Sequence, residues 1–428
     1  MELKINTAAS LKGKIAIPGD KSISHRAIIL GAMAEGDTTI VDFLPAADCL
    51  STLKCMRALG VGVEELSSTN LVIHGVGANG FKEPGNVLDV GNSGTTLRIL
   101  TGVLAGQDFF SVLTGDESVR RRPMDRVIAP LLEMGAEIWG RKNGTRAPIS
   151  ILGHSLHGIS YTTTIPSAQV KTALLLAGLL AEGKTIVAEE FQSRDHTERM
   201  LEVMGADISV EGTTCTISGG GILRGAEIDI PGDISSAAFL IAGALIVPDS
   251  EVLIKDVGVN PTRTGVLDVL KEMGGRLERV SFSVKNGEPR SDMLVKSSKL
   301  SGTVIGGEKI PGLIDELPVL AVVATQAQGT TVVSGAQELR VKEADRISAI
   351  CGELGNLGAQ IEEREDGFIV EGPTALKGTV CDSHGDHRIA MALAIAGLVA
   401  TGTTVIRGAE CVDISFPGFE KTLRSLIG

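Results

Sequence analysis

A phrase of roughly seventy residues is written into this chain six times, and repetition of that length constrains a fold more tightly than any single motif. Its first mark is an apolar run, Met or Leu, Gly and a small residue leading into a strand. The mark occurs at Ala58-Leu59-Gly60-Val61, Glu133-Met134-Gly135-Ala136, Val203-Met204-Gly205-Ala206, Glu272-Met273-Gly274-Gly275 and Asn356-Leu357-Gly358-Ala359. The chain stops at Ser425-Leu426-Ile427-Gly428, where a sixth would begin, and successive glycines stand 75, 70, 69, 84 and 70 residues apart. Between the marks lies a turn rich in Gly, Pro or Ser, then an apolar helix, then Gly and a Thr/Val-rich strand, as in Ala173 to Ala181 followed by Gly183-Lys184-Thr185-Ile186-Val187. The pattern predicts strand, helix, strand, helix, strand, strand in each copy, an α/β protein.

Two of the turns are near twins, Ile17-Pro18-Gly19-Asp20-Lys21-Ser22 and Ile230-Pro231-Gly232-Asp233-Ile234-Ser235. Three copies lie between them and three follow. The parse is therefore two three-repeat domains, 19–232 and 1–18 plus 233–428, with crossings and a hinge near 18–21 and 231–234.

Composition removes several functions. Aromatic residues make up 3% of the 428 residues and the net charge is −12, which disfavours nucleic acid as a partner. No apolar run approaches the roughly 20 residues of a membrane span. The six Cys, at 49, 55, 215, 351, 381 and 411, form no CxxC pair, and the start Met-Glu-Leu-Lys-Ile has no signal-peptide pattern. We expect a cytoplasmic protein without disulfides or structural zinc.

The turn of each copy brings polar groups to the head of an apolar helix, where unpaired N–H groups and about half a positive charge favour anions. Gly19-Asp20-Lys21-Ser22-Ile23-Ser24-His25-Arg26 offers a point charge, hydroxyls and a guanidinium fork, without Walker spacing. Gly91-Asn92-Ser93-Gly94-Thr95 lets backbone N–H groups approach a ligand closely. In Arg120-Arg121-Arg122-Pro123-Met124-Asp125-Arg126 the candidate for an inward side chain is Arg122. The third copy adds Ser167-Ala168-Gln169-Val170-Lys171 and Arg194-Asp195-His196-Thr197-Glu198. Spacing in Lys342-Glu343-Ala344-Asp345-Arg346 predicts Lys342 and Arg346 on one helical face with Glu343 between them. Asp315 and Glu316 are paired acids heading an apolar helix, where a carboxylate can serve as general base. The i,i+3 pairs His154/His157 and His384/His387 lack a third ligand of suitable spacing, so no metal is assigned. Arg388, at the mouth of the apolar run Ile389 to Ala400, needs an anionic partner.

Taken together, the motifs resemble the 5-enolpyruvylshikimate-3-phosphate synthase family over essentially the whole chain. The resemblance rests on Pro-Gly-Asp-Lys-Ser-Ile-Ser-His-Arg (18 to 26), Gly-Asn-Ser-Gly-Thr (91 to 95), Arg-Pro-Met-Asp-Arg (122 to 126), Ser-Ala-Gln-Val-Lys (167 to 171), Pro-Gly-Asp-Ile-Ser-Ser-Ala (231 to 237), Arg-Val-Lys-Glu-Ala-Asp-Arg (340 to 346) and Gly-Asp-His-Arg (385 to 388). It implies the two-domain enolpyruvyl transferase fold, an inside-out α/β barrel of six βαβαββ repeats, three per domain, with the active site in a cleft. The implied reaction joins shikimate 3-phosphate and phosphoenolpyruvate and releases phosphate, with no metal or organic cofactor, in a monomer.

The resemblance also implies roles. Lys21, Ser22, Arg26, Ser167, Ala168, Gln169, Arg194, Asp315 and Lys342 would hold shikimate 3-phosphate. Lys21, Asn92, Gly94, Arg122, Gln169, Arg346 and Arg388 would hold phosphoenolpyruvate. Asp315 would take the proton of the 5-hydroxyl, and Glu343, with Lys21, would handle the methylene proton.

Two positions depart from the better-known bacterial and plant branch: Ile414-Ser415-Phe416-Pro417 carries no Lys two residues before Phe-Pro, and Glu338 stands where that branch has Asn. Gly19-Asp20-Lys21, Ser167-Ala168-Gln169-x-Lys171, Arg194-x-His196-x-Glu198 and Asn260-x-Thr262-Arg263 are similar to the second, often glyphosate-tolerant class, some of whose members have Ala at the position of Gly94. Glyphosate is thus a candidate inhibitor. The nearest alternative, the transferase acting on UDP-N-acetylglucosamine, carries a Cys about five residues before its loop Arg, where this chain has Glu117. A repeat scaffold without catalysis is the alternative of another class.

Overall fold

Six helices carry apolar side chains on nearly every face: Lys21–Met33, Gly94–Ala105, Ala168–Leu180, Ile234–Ile246, Leu317–Ala324 and His387–Gly397. A helix apolar all round has no side to give to water and must be enclosed. In the computed structural model, which describes all 428 residues, these helices are buried almost from end to end and sheets lie outside them. The helices of the second set, such as Asp125–Glu133, Gly265–Glu272 and Arg346–Asn356, are amphipathic and keep exposed residues.

Each sheet repeats one pattern. Strands Ser160–Thr163, Lys184–Glu189, Thr214–Ser218 and Ile208–Glu211 lie in that spatial order; the first pair is parallel (Ser160 opposite Ile186) and the others antiparallel (Lys184 opposite Ser218). The same arrangement recurs in the sheet of Leu88–Asp89, Phe110–Thr114, Arg146–Leu152 and Glu137–Arg141, and in that of Val304–Ile305, Gly329–Val333, Gly367–Gly372 and Gln360–Arg364. The parallel pair is joined through a buried helix, as parallel strands require a crossover.

The chain divides into two units, one of Gly19–Ile230 with Lys285–Glu288, the other of Met1–Pro18, Pro231–Val284 and Pro289–Gly428. Each has its own apolar core, one running from Ile23 to Ile230 and the other from Leu3 to Leu426. Two strands are exchanged at the twin turns. Lys12–Ala16, which precedes the first turn, pairs in parallel with Glu251–Gly258, while Glu227–Asp229, which precedes the second, pairs in parallel with Glu35–Val41. Both turns need glycine for space: a Cβ on Gly19 would stand 2.0 Å from the Asp42 carbonyl oxygen, and one on Gly232 would stand 2.7 Å from Ile17 Cγ1.

The sixth repeat departs from the predicted order. Val380–Asp382 and Thr403–Arg407 pair in parallel, but the next strand is Glu2–Asn6 from the N-terminus, antiparallel to Thr403–Arg407, in a sheet of three strands. An unpaired strand edge exposes a row of N–H and C=O groups, and the first strand of the chain covers it. The C-terminal segment instead forms the helix Phe419–Leu426. No helix is long and apolar enough to cross a membrane.

Candidate active site

In the unit containing Gly19–Ile230, the heads of three buried helices carry the polar groups. Asp20 caps the first, accepting from Ile23 N at 2.9 Å, and Ser93 caps the second, accepting from Thr96 N at 3.1 Å. Ser167 takes the cap position of the third without a side-chain cap bond. Lys21 Nζ lies 2.6 Å from Asp48 Oδ2. Arg122, the buried member of the Arg cluster, donates to Asn92 Oδ1 at 2.9 Å and to Ser118 Oγ at 3.2 Å, while Arg121 is exposed. A Cβ on Gly94 would meet Arg122 Nη1 at 2.9 Å, so the absence of a side chain leaves that guanidinium its place. Gln169 accepts from Arg98 Nη1 at 2.5 Å and donates to Thr95 Oγ1 at 2.8 Å. Arg194 Nη1 donates to Ser22 Oγ at 3.3 Å.

Arg26 is buried beneath these groups. It donates to Thr197 Oγ1 at 2.7 Å, Thr172 Oγ1 at 2.8 Å, Ser22 O at 3.0 Å and Ala168 O at 3.4 Å, tying together three segments that carry candidate ligands. Burial brings its guanidinium down to about 10, still cationic at neutral pH. Beside it a hydrogen-bonded chain runs from His25 Nδ1 to Thr52 Oγ1 (2.7 Å), to Thr96 Oγ1 (2.6 Å), to Ser93 Oγ (2.6 Å). Thr96 donates to Ser93, and Thr52 reaches both Thr96 and the Asp48 carbonyl (3.5 Å), so the imidazole ends a network of hydroxyls. Burial, then the charges of Lys21 and Arg26, hold His25 well below 6.5.

In the other unit the polar groups surround Asp315. It lies in the 3-10 turn Ile314–Glu316 that leads into Leu317–Ala324. Its Oδ1 is 3.1 Å from Arg346 Nη1 and 3.7 Å from Lys342 Nζ, and its Oδ2 is 3.6 Å from Arg388 Nη2. Arg346 also reaches Glu343 at 2.6 Å and Asp386 at 2.7 Å. Burial alone would lower the Arg346 guanidinium, but the charges of Asp386, Glu343 and Asp315 outweigh it and raise it. Arg388 Nη1 donates to the Asp315 carbonyl at 3.1 Å and lies 3.6 Å from Glu316 Oε1. Glu316 in turn accepts from Ser235 Oγ, and Arg263 Nη2 donates to the same Oγ at 2.5 Å.

One local expectation is corrected. Lys342 and Arg346 do not share a helical face, because the helix begins at Arg346; the Asp345 side chain caps it by accepting from Ser348 N at 3.1 Å. Lys342 and Glu343 sit in the turn before it, and both converge with Arg346 on the Asp315 cluster through turn geometry. Arg346 is buried, with 2% of its side chain exposed. Ile414 lies in the 3-10 turn Ala409–Ile414 and packs on the apolar core. Asp48, Arg98, Thr172, Thr197, Arg263 and Asp386 were not singled out from sequence as ligands or their supports. Arg98 and Thr172 lie one turn into a repeat's helix, a signal that counts for little until the repeats are superposed in space. Burial pushes the thiols of Cys55, Cys215, Cys351 and Cys381 up to about 12, so they are poor nucleophiles.

Comparison with known proteins draws these features together. A family model described as EPSP synthase (3-phosphoshikimate 1-carboxyvinyltransferase) matches residues 5–423. The 3-phosphoshikimate 1-carboxyvinyltransferase of Desulforudis audaxviator (strain MP104C) is 54% identical over 426 residues, covering 100% of this chain and 99% of that one. That of Pelotomaculum thermopropionicum is 51% identical over 428 residues, with 100% and 99% covered. A solved EPSP synthase from Acinetobacter baumannii superposes with a TM-score of 0.89 at 44% identity, covering 100% of this chain and 98% of that one. The relatives favour this family over the cell-wall transferase and the scaffold. With sixfold repetition, cationic helix heads and an acid held among three cations, all within a sequence alike from end to end, the chain belongs to the EPSP synthase family.

Proposed function

We infer that the protein transfers the enolpyruvyl group of phosphoenolpyruvate to the 5-hydroxyl of shikimate 3-phosphate and releases phosphate, a step of aromatic amino acid biosynthesis. The observation that carries the chemistry is Asp315, one carboxylate set among Lys342, Arg346 and Arg388. Both substrates are polyanions, each with a phosphate and a carboxylate, so binding them needs clustered cations, and deprotonating a hydroxyl among them needs a carboxylate held in place.

In this reading Lys21, Ser22, Arg26, Ser167, Ala168, Gln169, Arg194, Asp315 and Lys342 hold shikimate 3-phosphate. Arg26, whose donors already face protein acceptors, acts through its positive charge. Lys21, Asn92, Gly94, Arg122, Gln169, Arg346 and Arg388 hold phosphoenolpyruvate. The 5-oxygen bonds to C2 as its proton passes to Asp315, and the methylene carbon takes a proton from Glu343, giving a tetrahedral intermediate. Cleavage of the C2–O bond then expels phosphate while the methyl carbon returns a proton to Glu343, aided by Lys21, and the double bond re-forms. In the same reading the chain is two three-repeat domains, 19–232 and 1–18 plus 233–428, with crossings near 18–21 and 231–234.

The four short motifs similar to the second class support a glyphosate-tolerant enzyme, with glyphosate as a weak inhibitor. A cytoplasmic monomer fits the same reading. The test is phosphate release with both substrates, each alone, and both plus glyphosate. Release that requires both establishes the transferase, and a folded sample that releases none would falsify it.

A further inference from the structure

Two motifs that the substrate assignments leave partly unused meet inside the unit containing Gly19–Ile230. Lys171 closes Ser167-Ala168-Gln169-x-Lys171, and Glu198 closes Arg194-x-His196-x-Glu198. Lys171 Nζ lies 2.7 Å from Glu198 Oε1 and 2.7 Å from Glu189 Oε2, and donates to the Ser193 carbonyl at 3.4 Å. Glu189 Oε2 also accepts from Ser193 N at 3.1 Å. All three side chains are buried, Lys171 at 3% exposure and Glu198 at 6%. Burial pushes the Glu198 carboxyl up, opposed by Lys171; burial lowers Lys171, but Glu198 and Glu189 more than offset it.

The geometry fixes more than a fold contact. Both backbone polar groups of Ser193 are gripped, its N–H by Glu189 and its carbonyl by Lys171, and the next residue is Arg194, whose guanidinium reaches Ser22 Oγ. Lys171 is also one turn along the helix headed by Ser167, donating its own N–H to Ser167 O at 3.0 Å. The ammonium therefore ties the Ser167-to-Gln169 helix head to the loop that presents Arg194. Buried ion pairs of this kind contribute little net stability compared with apolar packing, and their better-attested use is to define geometry.

We propose that Lys171, acting with Glu189 and Glu198, is a positioning residue for shikimate 3-phosphate: it sets the Arg194 guanidinium at the substrate without touching the substrate. This rests on the assignment of Arg194 made above. The test uses Lys171→Met, Arg194→Ala and the double variant, with folding checked by circular dichroism and KM measured separately for each substrate. Lys171→Met is expected to raise KM for shikimate 3-phosphate about tenfold, with KM for phosphoenolpyruvate within about twofold. On the Arg194→Ala background the same change is expected to add less than about threefold, because its effect passes through that side chain. A wild-type KM for shikimate 3-phosphate in folded Lys171→Met, or an undiminished tenfold rise on the Arg194→Ala background, overturns the proposal alone. A wild-type KM in Arg194→Ala overturns the assignment of Arg194 and this proposal with it. Should Lys171→Met not fold, Glu198→Gln removes the partner charge at constant shape; a rise of about threefold or more in KM for shikimate 3-phosphate alone supports the proposal, and no change overturns it.

Discussion

Arg346 Nη1 stands 3.1 Å from Oδ1 of Asp315 while its Nε holds Asp386 at 2.7 Å, so one buried guanidinium both orients the candidate base and neutralises the cap of the last buried helix. The two neighbouring arginines therefore have different parts. Arg346 is structural and electrostatic at once, whereas Arg388 keeps 11% of its side chain exposed.

Arg346→Met is expected to destabilise the protein by about 3–5 kcal/mol, because Asp386, fully buried, would lose its cation and be left as a buried charge. Urea unfolding of the variant measures this directly. A stability within about 0.5 kcal/mol of wild type would mean that the cluster neutralises itself by taking up protons.

Arg388→Ala and Arg122→Ala are expected to fold normally and lose two to three decades in turnover, the usual loss of about 3–4 kcal/mol when one electrostatic contact to developing charge is removed. Steady-state phosphate release decides it. Near wild-type kinetics in either variant removes that arginine from the site.

Asp315→Asn keeps the shape of the side chain but not its basicity. The expectation is a fall in kcat of roughly 10²–10⁴, with shikimate 3-phosphate still bound by titration calorimetry. Loss of binding with little loss of kcat would assign Asp315 to substrate holding alone.

Gly94→Ala places a methyl carbon 2.9 Å from Arg122 Nη1 and 3.3 Å from Arg98 Nη1. The guanidinium must give way, and an error in ligand position of this kind is expected to raise KM for phosphoenolpyruvate roughly tenfold. Competition assays with glyphosate on both forms report whether the inhibitor uses the same space; an unchanged KM would place the substrate elsewhere.

His25 supplies a pH dependence with a defined sign. Its folded value lies well below 6.5, the value of an unburied imidazole, because burial and the charges of Lys21 and Arg26 oppose a proton there. Between those two values the unfolded chain binds a proton that the folded chain does not. The contribution is thus full above about pH 6.5 and is lost as pH falls below it, by up to about 1.4 kcal/mol per pH unit. The stability difference between wild type and His25→Asn should shrink from pH 7 to pH 5, and a constant difference would show that the imidazole binds its proton equally in the folded and unfolded chain.

The sequence alone determined the sixfold repeat, the apolar helices and the polar turn at each helix head, since periodicity and turn chemistry are local properties. It also carried the family's motifs, each of which names residues within a few positions of one another. What it could not decide was which distant residues complete a sheet or a charge cluster. The strands at the twin turns change places, the N-terminal strand closes the sixth sheet, and the segment from Lys342 to Arg346 is a turn before a helix, because sheet edges and caps are satisfied by whatever segment arrives in space. The Lys171–Glu189–Glu198 cluster, two of whose members hold Ser193, joins residues from a helix, a strand end and a second helix. Burial turns such charges from an ordinary solvated face into a fixed device, and burial is set only by the tertiary structure.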